Sequence, residues 1–327
     1  MTGLSDSFQR PINYLRISVT DRCNLRCIYC MPTDGVRIMS HSDILTYEEI
    51  HQVVLAAAEL GISKVRITGG EPLVRLDLPR LIGMLTQIEA IDDISLTTNG
   101  TMLSHHAAEL KSAGLRRVNV SLDTLQSDRF EDITRGRSLN SVLEGIEVAR
   151  SVGLNPVKIN MVVMGGINDD ELLDFAVKTI EDGWHVRFIE FMPVAGNEFS
   201  QRPFIPVSEI KKRLESLGEL EPCRPSIGNG PAKYFRFPQG QGTVGFITPV
   251  SEHFCFRCNR LRLTADGKLR PCLLAEDEID MKQPLRSGVS LEKLKQLIEE
   301  AIAQKPLCHN LANGYVPKDR PFSQVGG

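Results

Sequence analysis

The sequence predicts an α/β protein: an incomplete, open TIM-like barrel of about six βα units, with a smaller C-terminal domain closing it. Three observations predict this. Short β-branched runs alternate with segments of helical period from about residue 14 to 218. Five of the helical segments run into a glycine. After Gly218 the texture changes to a Pro/Gly-rich passage, EPCRPSIGNGPAKYFRFPQGQG, which places a boundary between residues 1–220 and 221–327.

In chain order, the strands are expected at 14–19, 64–68, 93–98, 117–123, 157–163 and 186–192. The helices fall between and after them, at 47–60, 78–89, 104–113, 141–152, 170–182 and 208–217. Thr46 with Glu49 three residues on is a capping box for the first helix. Gly61, Gly114, Gly153, Gly183 and Gly218 are the stops. Beyond the boundary come strand-like pieces, a hairpin signal at Ala265-Asp266-Gly267, a last amphipathic helix over 291–304 and a polar tail ending in Gly326-Gly327. No short-period repeat or low-complexity tract interrupts this plan.

Composition bounds the function. The formal net charge of -3 and pI near 6.2 argue against a chain whose main business is coating nucleic acid or anionic membrane. The longest uninterrupted apolar run near the N-terminus, 53–58, is far short of a signal peptide or span, so a soluble cytoplasmic protein with no nucleic-acid or membrane partner is expected. In a reducing compartment clustered cysteines read first as metal or cluster ligands. Six of the eight form two triads, Cys23/Cys27/Cys30 and Cys255/Cys258/Cys272, while Cys223 and Cys308 are given no role.

Strand alternation is the most informative pattern. Asn119, Ser121 and Asp123 alternate with Val118, Val120 and Leu122; Arg16/Ser18, Arg66/Thr68 and Lys158/Asn160 alternate with apolar partners in the same way. Such a polar face belongs either to a half-exposed sheet or to the lumen of an open, ligand-filled barrel. Because βα crossovers lay helices over the apolar face, the lumen is the expectation. Arg16, Arg66, Lys158 and Arg187 then bring four cations into one cavity of an acidic protein, and a triphosphate suits them.

The first triad, C-x3-C-x2-C, follows the first strand directly, on the loop edge where βα barrels keep their chemistry. Three thiolates can hold three irons of a four-iron cluster and leave the fourth iron open. This triad, with Tyr29 before its third cysteine and Gly69-Gly70-Glu71-Pro72 after the second strand, resembles the radical S-adenosylmethionine (SAM) enzyme family. The resemblance implies that the open iron chelates the methionyl group of SAM and that the reduced cluster cleaves it to a 5'-deoxyadenosyl radical. Glycines at 69 and 70 are expected to let the backbone approach the methionyl amino group.

The second triad, C-x2-C-x13-C, is again three ligands; its spacing alone equally admits a zinc site completed by His253 or His309. Arg260 and Arg262 alternate beside it, so a strand would aim both the same way. The segments RISVTDRCNLRCIYCMP, RITGGEPLVR, LTTNG, NVSLDTL, FIEFMP and CNRLRLTADGKLRPCL, with the final Gly-Gly, are similar over nearly the whole chain to the MoaA family of GTP 3',8-cyclases of molybdenum cofactor biosynthesis.

That resemblance implies two [4Fe-4S] clusters, the second with an open iron that binds the guanine of GTP. Arg16, Arg66, Thr97, Lys158, Arg260, Leu261 and Arg262 would contact GTP, with Arg187 near the phosphates. Tyr29, Gly69, Gly70, Glu71, Ser121 and Met192 would border SAM. Arg16, Arg66, Gly326 and Gly327 would serve catalysis, the two glycines by threading into the barrel mouth. A radical at C3' of the ribose attacks C8 of the guanine in that family's reaction. The implied partners are an electron donor such as flavodoxin or ferredoxin, cyclic pyranopterin monophosphate synthase as the next enzyme, and a second copy in a homodimer.

Two other classes compete. A peptide-maturing radical SAM enzyme with an auxiliary cluster usually has more cysteines in that domain, and gives no reason for the four lumen cations. A non-catalytic iron-sulfur or zinc protein is separated from an enzyme by iron and sulfide content together with reductive cleavage of SAM.

Overall fold

The computed structural model describes residues 3–32, 35–136, 138–192, 202–224, 230–311, 315 and 320–326. Six parallel strands pair in chain order: β1 (Tyr14–Ser18), β2 (Lys64–Thr68), β3 (Asp93–Thr98), β4 (Arg117–Ser121), β5 (Lys158–Val163) and β6 (His185–Glu190). The helices α1 (Tyr47–Glu59), α2 (Leu78–Thr86), α3 (Leu103–Ser112), α5 (Leu139–Ser151), α6 (Leu172–Glu181) and α7 (Val207–Leu214) occupy the six expected places. At the start of α1 the hydroxyl of Thr46 accepts from the Glu49 amide (3.1 Å), and the Glu49 carboxylate accepts from the Thr46 amide (2.8 Å). Gly61 ends it at φ +99, a conformation costly for any residue with a Cβ.

The alternation read from sequence is the alternation seen. Ile17, Val65, Ile67, Val118, Val120, Ile159 and Met161 are wholly buried in one continuous core. Each buried aliphatic side chain contributes about 1.5–3 kcal/mol, so a one-residue slip of any strand would turn its apolar set toward the polar face and is strongly disfavoured.

One element was not foreseen. Helix α4 (Ser127–Thr134) lies between β4 and α5, where the sequence offers only Phe130, Ile133 and Thr134 as buried positions in eight residues. That is too short a periodic pattern to stand out.

The C-terminal segment does not form a sheet of its own. Strand β10 (Arg260–Leu263) adds parallel to β1, setting Arg262 opposite Arg16, and β9 (Thr243–Ile247) adds parallel to β6, setting Gly245 opposite Arg187. A Cβ at Gly245 would sit 2.8 Å from Arg187 Cγ, so the glycine makes room for that arginine. Beyond these lie antiparallel edge strands: β8 (Lys233–Arg236) and β7 (Glu221–Pro222) on one side, β11 (Lys268–Arg270) and β12 (Ile279–Asp280) on the other. The result is one twelve-stranded sheet with two ends, curled but not closed. The hairpin predicted at Ala265-Asp266-Gly267 joins β10 to β11, with Gly267 at φ +81. The short α8 (Lys282–Arg286) precedes the last long helix, α9 (Leu291–Ala303), which is capped by the Ser290 hydroxyl and packs on α1.

Candidate active site

The polar face of the curled sheet lines one cavity of about 2190 Å3, counted with its open mouth, and both cysteine triads border it. A second hollow, of about 810 Å3 counted the same way, lies among Arg150, Pro156, Trp184 and His185, and none of the predicted site residues borders it.

The first triad sits on the loop after β1, and the unforeseen helix holds that loop in place. The amides of Arg26 and Ile28 donate to the carbonyls of Thr134 and Ile133 at the end of α4, both at 2.9 Å. The amides of Cys30 and Met31 close back onto the Cys27 carbonyl. Gly70 donates to the Thr20 carbonyl (2.7 Å) and Glu71 to the Arg22 carbonyl (2.8 Å). A Cβ on Gly69 would lie 2.9 Å from the Thr20 carbonyl oxygen, and one on Gly70 2.7 Å from the Arg22 carbonyl carbon. The glycines border the cavity as expected, but the approach they permit here is to the backbone of the cysteine loop.

Glu71, expected beside the cofactor, is placed otherwise. Its carboxylate is wholly buried and does not border the cavity; it accepts from the amides of Leu73 (3.0 Å) and Asn99 (2.6 Å) and from the Thr98 hydroxyl (2.7 Å). Burial pushes its pKa up to about 7, against those bonds. It fastens the glycine segment to the loop after β3. Leu261 is wholly buried in the apolar core, because it alternates with Arg260 and Arg262, which border the cavity. Its side chain does not border the cavity.

Tyr29, Ser121, Met192 and Thr97 border the cavity. The Tyr29 hydroxyl donates to Asp123 (2.8 Å), whose other oxygen accepts from the Val162 amide (2.8 Å); burial raises that carboxyl to about 6. Asp123 belongs to the polar face read from alternation, whereas Asn99, whose amide reaches Asn24 and lies 3.9 Å from Cys23 Sγ, stands within the LTTNG motif without a role read from it.

The second triad is tied down across the chain. Cys258 donates its amide to the Cys255 carbonyl (3.0 Å), Arg10 reaches the same carbonyl (2.8 Å), and buried Lys305 donates to the carbonyls of Arg260 (2.8 Å) and Pro271 (2.6 Å). Burial pushes the Cys258 thiol up, but Arg260 and Lys305 outweigh it and bring it down to about 6.

Do these residues fit clusters? Among the described residues, no three His, Cys, Asp or Glu side chains converge tightly enough to hold a single metal ion. Zinc needs its ligands converging at about 2.0–2.3 Å, whereas a four-iron cluster takes each thiolate on a different iron and so accepts a wider triad. The histidines do not complete a zinc site either: His309 spends Nε2 on the Pro249 carbonyl and Nδ1 on the Leu311 amide, and His253 is exposed. All-thiolate triads bordering a common cavity fit two clusters, each with one iron left for a ligand.

Between the triads the lining is strongly cationic. Arg16, Arg66, Arg117, Lys158, Arg187, Arg260 and Arg262 face two carboxylates, Asp123 and Glu190. Arg117, which the sequence reading had not counted, is held by Asp93 through Nη2 (2.5 Å) and Nε (3.2 Å). Burial, then Arg187, Arg117 and Arg66, push the Lys158 ammonium down to about 7. Burial lowers Arg16 as well, with Arg262 and Arg66 adding repulsion. The cavity also holds buried polar atoms without hydrogen-bond partners among the described residues: Tyr14 Oη, Thr97 Oγ1, Asn160 Oδ1 and Arg187 Nε. Such atoms are costly to leave unpaired, and a polyanionic, polar ligand would satisfy them.

The C-terminal tail enters this array. Gly326 borders the cavity at φ +69, and its carbonyl accepts from Arg16 (3.0 Å) and Arg262 (2.8 Å). A Cβ there would collide with the Thr68 hydroxyl. Gly327 lies outside the described residues.

Residues 17–178 match the Radical SAM superfamily and residues 184–311 match Molybdenum Cofactor Synthesis C. Among solved structures the chain resembles Streptococcus suis SuiB bound to S-adenosylmethionine, with TM-score 0.62 at 14% identity over 83% of this chain and 64% of that one. It also resembles anSMEcpe with bound AdoMet, with TM-score 0.61 at 15% identity over 87% and 77%. At such identities the likeness concerns the fold. Fold and first triad together define a radical SAM enzyme. Proteins named GTP 3',8-cyclase are 53% identical over 99% of this chain and 100% of their own length in Pelotomaculum thermopropionicum, and 52% identical over 99% and 100% in Moorella thermoacetica. The chain belongs to the GTP 3',8-cyclase family.

Proposed function

We propose that this chain converts GTP to (8S)-3',8-cyclo-7,8-dihydroguanosine 5'-triphosphate in molybdenum cofactor biosynthesis, using SAM and two [4Fe-4S] clusters. The observation that carries the reading is one cavity bordered by both thiolate triads with a cationic lining between them. Cys23, Cys27 and Cys30 would hold the cluster that binds SAM, and Cys255, Cys258 and Cys272 the second, so that residues 1–220 and 221–327 each bring one. When bound, SAM at the reduced first cluster supplies the 5'-deoxyadenosyl radical that removes the hydrogen from C3' of the GTP ribose.

The chain's own residues hold the substrate for that event. Arg16, Arg66, Lys158, Arg187, Arg260 and Arg262 would neutralise the triphosphate, with Thr97 as a neutral contact. Holding both ends of GTP keeps C3' and C8 within reach of each other, which is where a well-oriented intramolecular step gains its rate. Gly326, fixed between Arg16 and Arg262, links the tail to the same cations. Walls built from the sheet and the C-terminal segment exclude water and limit quenching.

The finer partners belong to the same proposal: a one-electron donor such as flavodoxin or ferredoxin, cyclic pyranopterin monophosphate synthase as the consumer of the product, and a second copy in a homodimer. A reducing cytoplasm is the compartment we propose, since it keeps cluster thiolates reduced. The test is to replace Arg16, Arg66, Lys158, Arg260 and Arg262 singly by Ala. A hydrogen bond to a charged group is worth about 1.5–3 kcal/mol, so each variant should bind or turn over GTP roughly tenfold to a hundredfold less well while keeping its iron. Five variants that all cyclise GTP normally would refute the proposal.

A further inference from the structure

The orphaned hydroxyl of Tyr14 reports on the substrate. Tyr14 opens β1, at the opposite end of that strand from the cysteine loop, and its side chain is buried on the cavity side, in step with Arg16. Its Oη has no hydrogen-bond partner among the described residues. The Arg66 guanidinium lies 5.6 Å from its ring centre, and the charged groups acting on it are Arg66, Arg16, Arg117 and Arg260. Burial pushes its pKa up, but those four cations outweigh it and leave the phenol below its ordinary 10.

A guanidinium has donors only. The groups that press on Tyr14 therefore cannot accept its proton, and the carboxylate nearest in chain register, Asp93, is taken by Arg117. What the hydroxyl lacks is an acceptor, and four cations around it select a negative one. We infer that Tyr14 is a specificity-determining substrate contact, donating its hydroxyl hydrogen to an oxygen of the GTP triphosphate at the floor of the cavity. The inference rests on the proposed substrate. It adds a neutral donor that repays its own burial cost only when phosphate is present, so it favours the nucleotide over the nucleoside beyond what charge alone provides.

The test uses the anaerobic holoenzyme and Tyr14→Phe, which removes one oxygen and leaves the ring in place. Binding of GTP and of guanosine is measured for both proteins, together with melting temperature without nucleotide. The expected result is a GTP affinity lowered about tenfold or more in Y14F, guanosine affinity unchanged within about twofold, and a melting temperature equal or slightly higher, because an unsatisfied buried hydroxyl is gone. Unchanged GTP affinity overturns the inference, as does an equal fall for guanosine, which would mark a merely structural role. If the wild-type protein itself binds guanosine as tightly as GTP, the triphosphate reading of the floor fails, whatever the variant does.

Discussion

Lys158 should take up a proton when GTP binds. Without substrate, burial and the neighbouring Arg187, Arg117 and Arg66 hold its ammonium down to about 7, from an ordinary 10.5. Burial pushes Arg66 down as well, but only to about 10, so the lysine is the group that yields first. At pH 8.5 a group of pKa about 7 is only about 3% protonated, and a triphosphate that restores its ordinary value makes it about 99% protonated. Binding at pH 8.5 should therefore consume close to one proton per GTP, with the nucleotide itself already fully ionised. The same linkage fixes the sign for the substrate-free protein: between pH 7 and 10.5 the unfolded chain binds more protons at this site than the folded one, so stability rises with pH across that window. Calorimetric titration of the holoenzyme with GTP, in two buffers of different ionisation enthalpy, reads the uptake as the difference between apparent enthalpies. Lys158→Met should abolish the uptake and weaken binding. Equal enthalpies in the two buffers for the wild-type protein would refute the reasoning.

Replacing Gly326 by Ala forces a Cβ into a left-handed residue and against Thr68, at a cost of about 1–2 kcal/mol before any clash; product formation should fall at least about tenfold while iron content and SAM binding stay at wild-type levels. Normal cyclisation by G326A, or by a chain lacking Gly326 and Gly327, would contradict a role for the tail. Asp93→Asn leaves Arg117 buried without its partner charge, and chemical denaturation should report a loss of about 3–5 kcal/mol. Added GTP should recover part of it, and Asp93→Asn combined with Arg117→Met most of it.

Where the sequence was legible, the reason is a period or a short-range spacing. Alternation with a period of two assigned the cavity face of β1, β2, β4 and β5, and two compact cysteine spacings marked the loops that meet there. Contacts between distant parts of the chain were not legible. Arg10 and Lys305 brace the second triad from 245 and 45 residues away, and nothing in their neighbourhoods announces it. Arg117 begins the polar alternation of β4, but its place in the cavity depends on the register that sets it beside Ser95 on β3. Glu71 and Leu261 were read from the motifs around them: the buried carboxylate fastens backbone, and the leucine has the parity of the core. Helix α4 escaped because three buried positions make no period, yet its last carbonyls carry the cysteine loop.

The central claim is that two open-cornered thiolate triads share one cationic chamber built for a nucleoside triphosphate. It is tested most directly by incubating anaerobically reconstituted protein with GTP, SAM and dithionite and identifying the nucleotide product alongside its iron content. About eight irons per chain, GTP-dependent 5'-deoxyadenosine and a cyclised dihydroguanosine triphosphate are the expected outcome. A single bound zinc with GTP returned unchanged would contradict it.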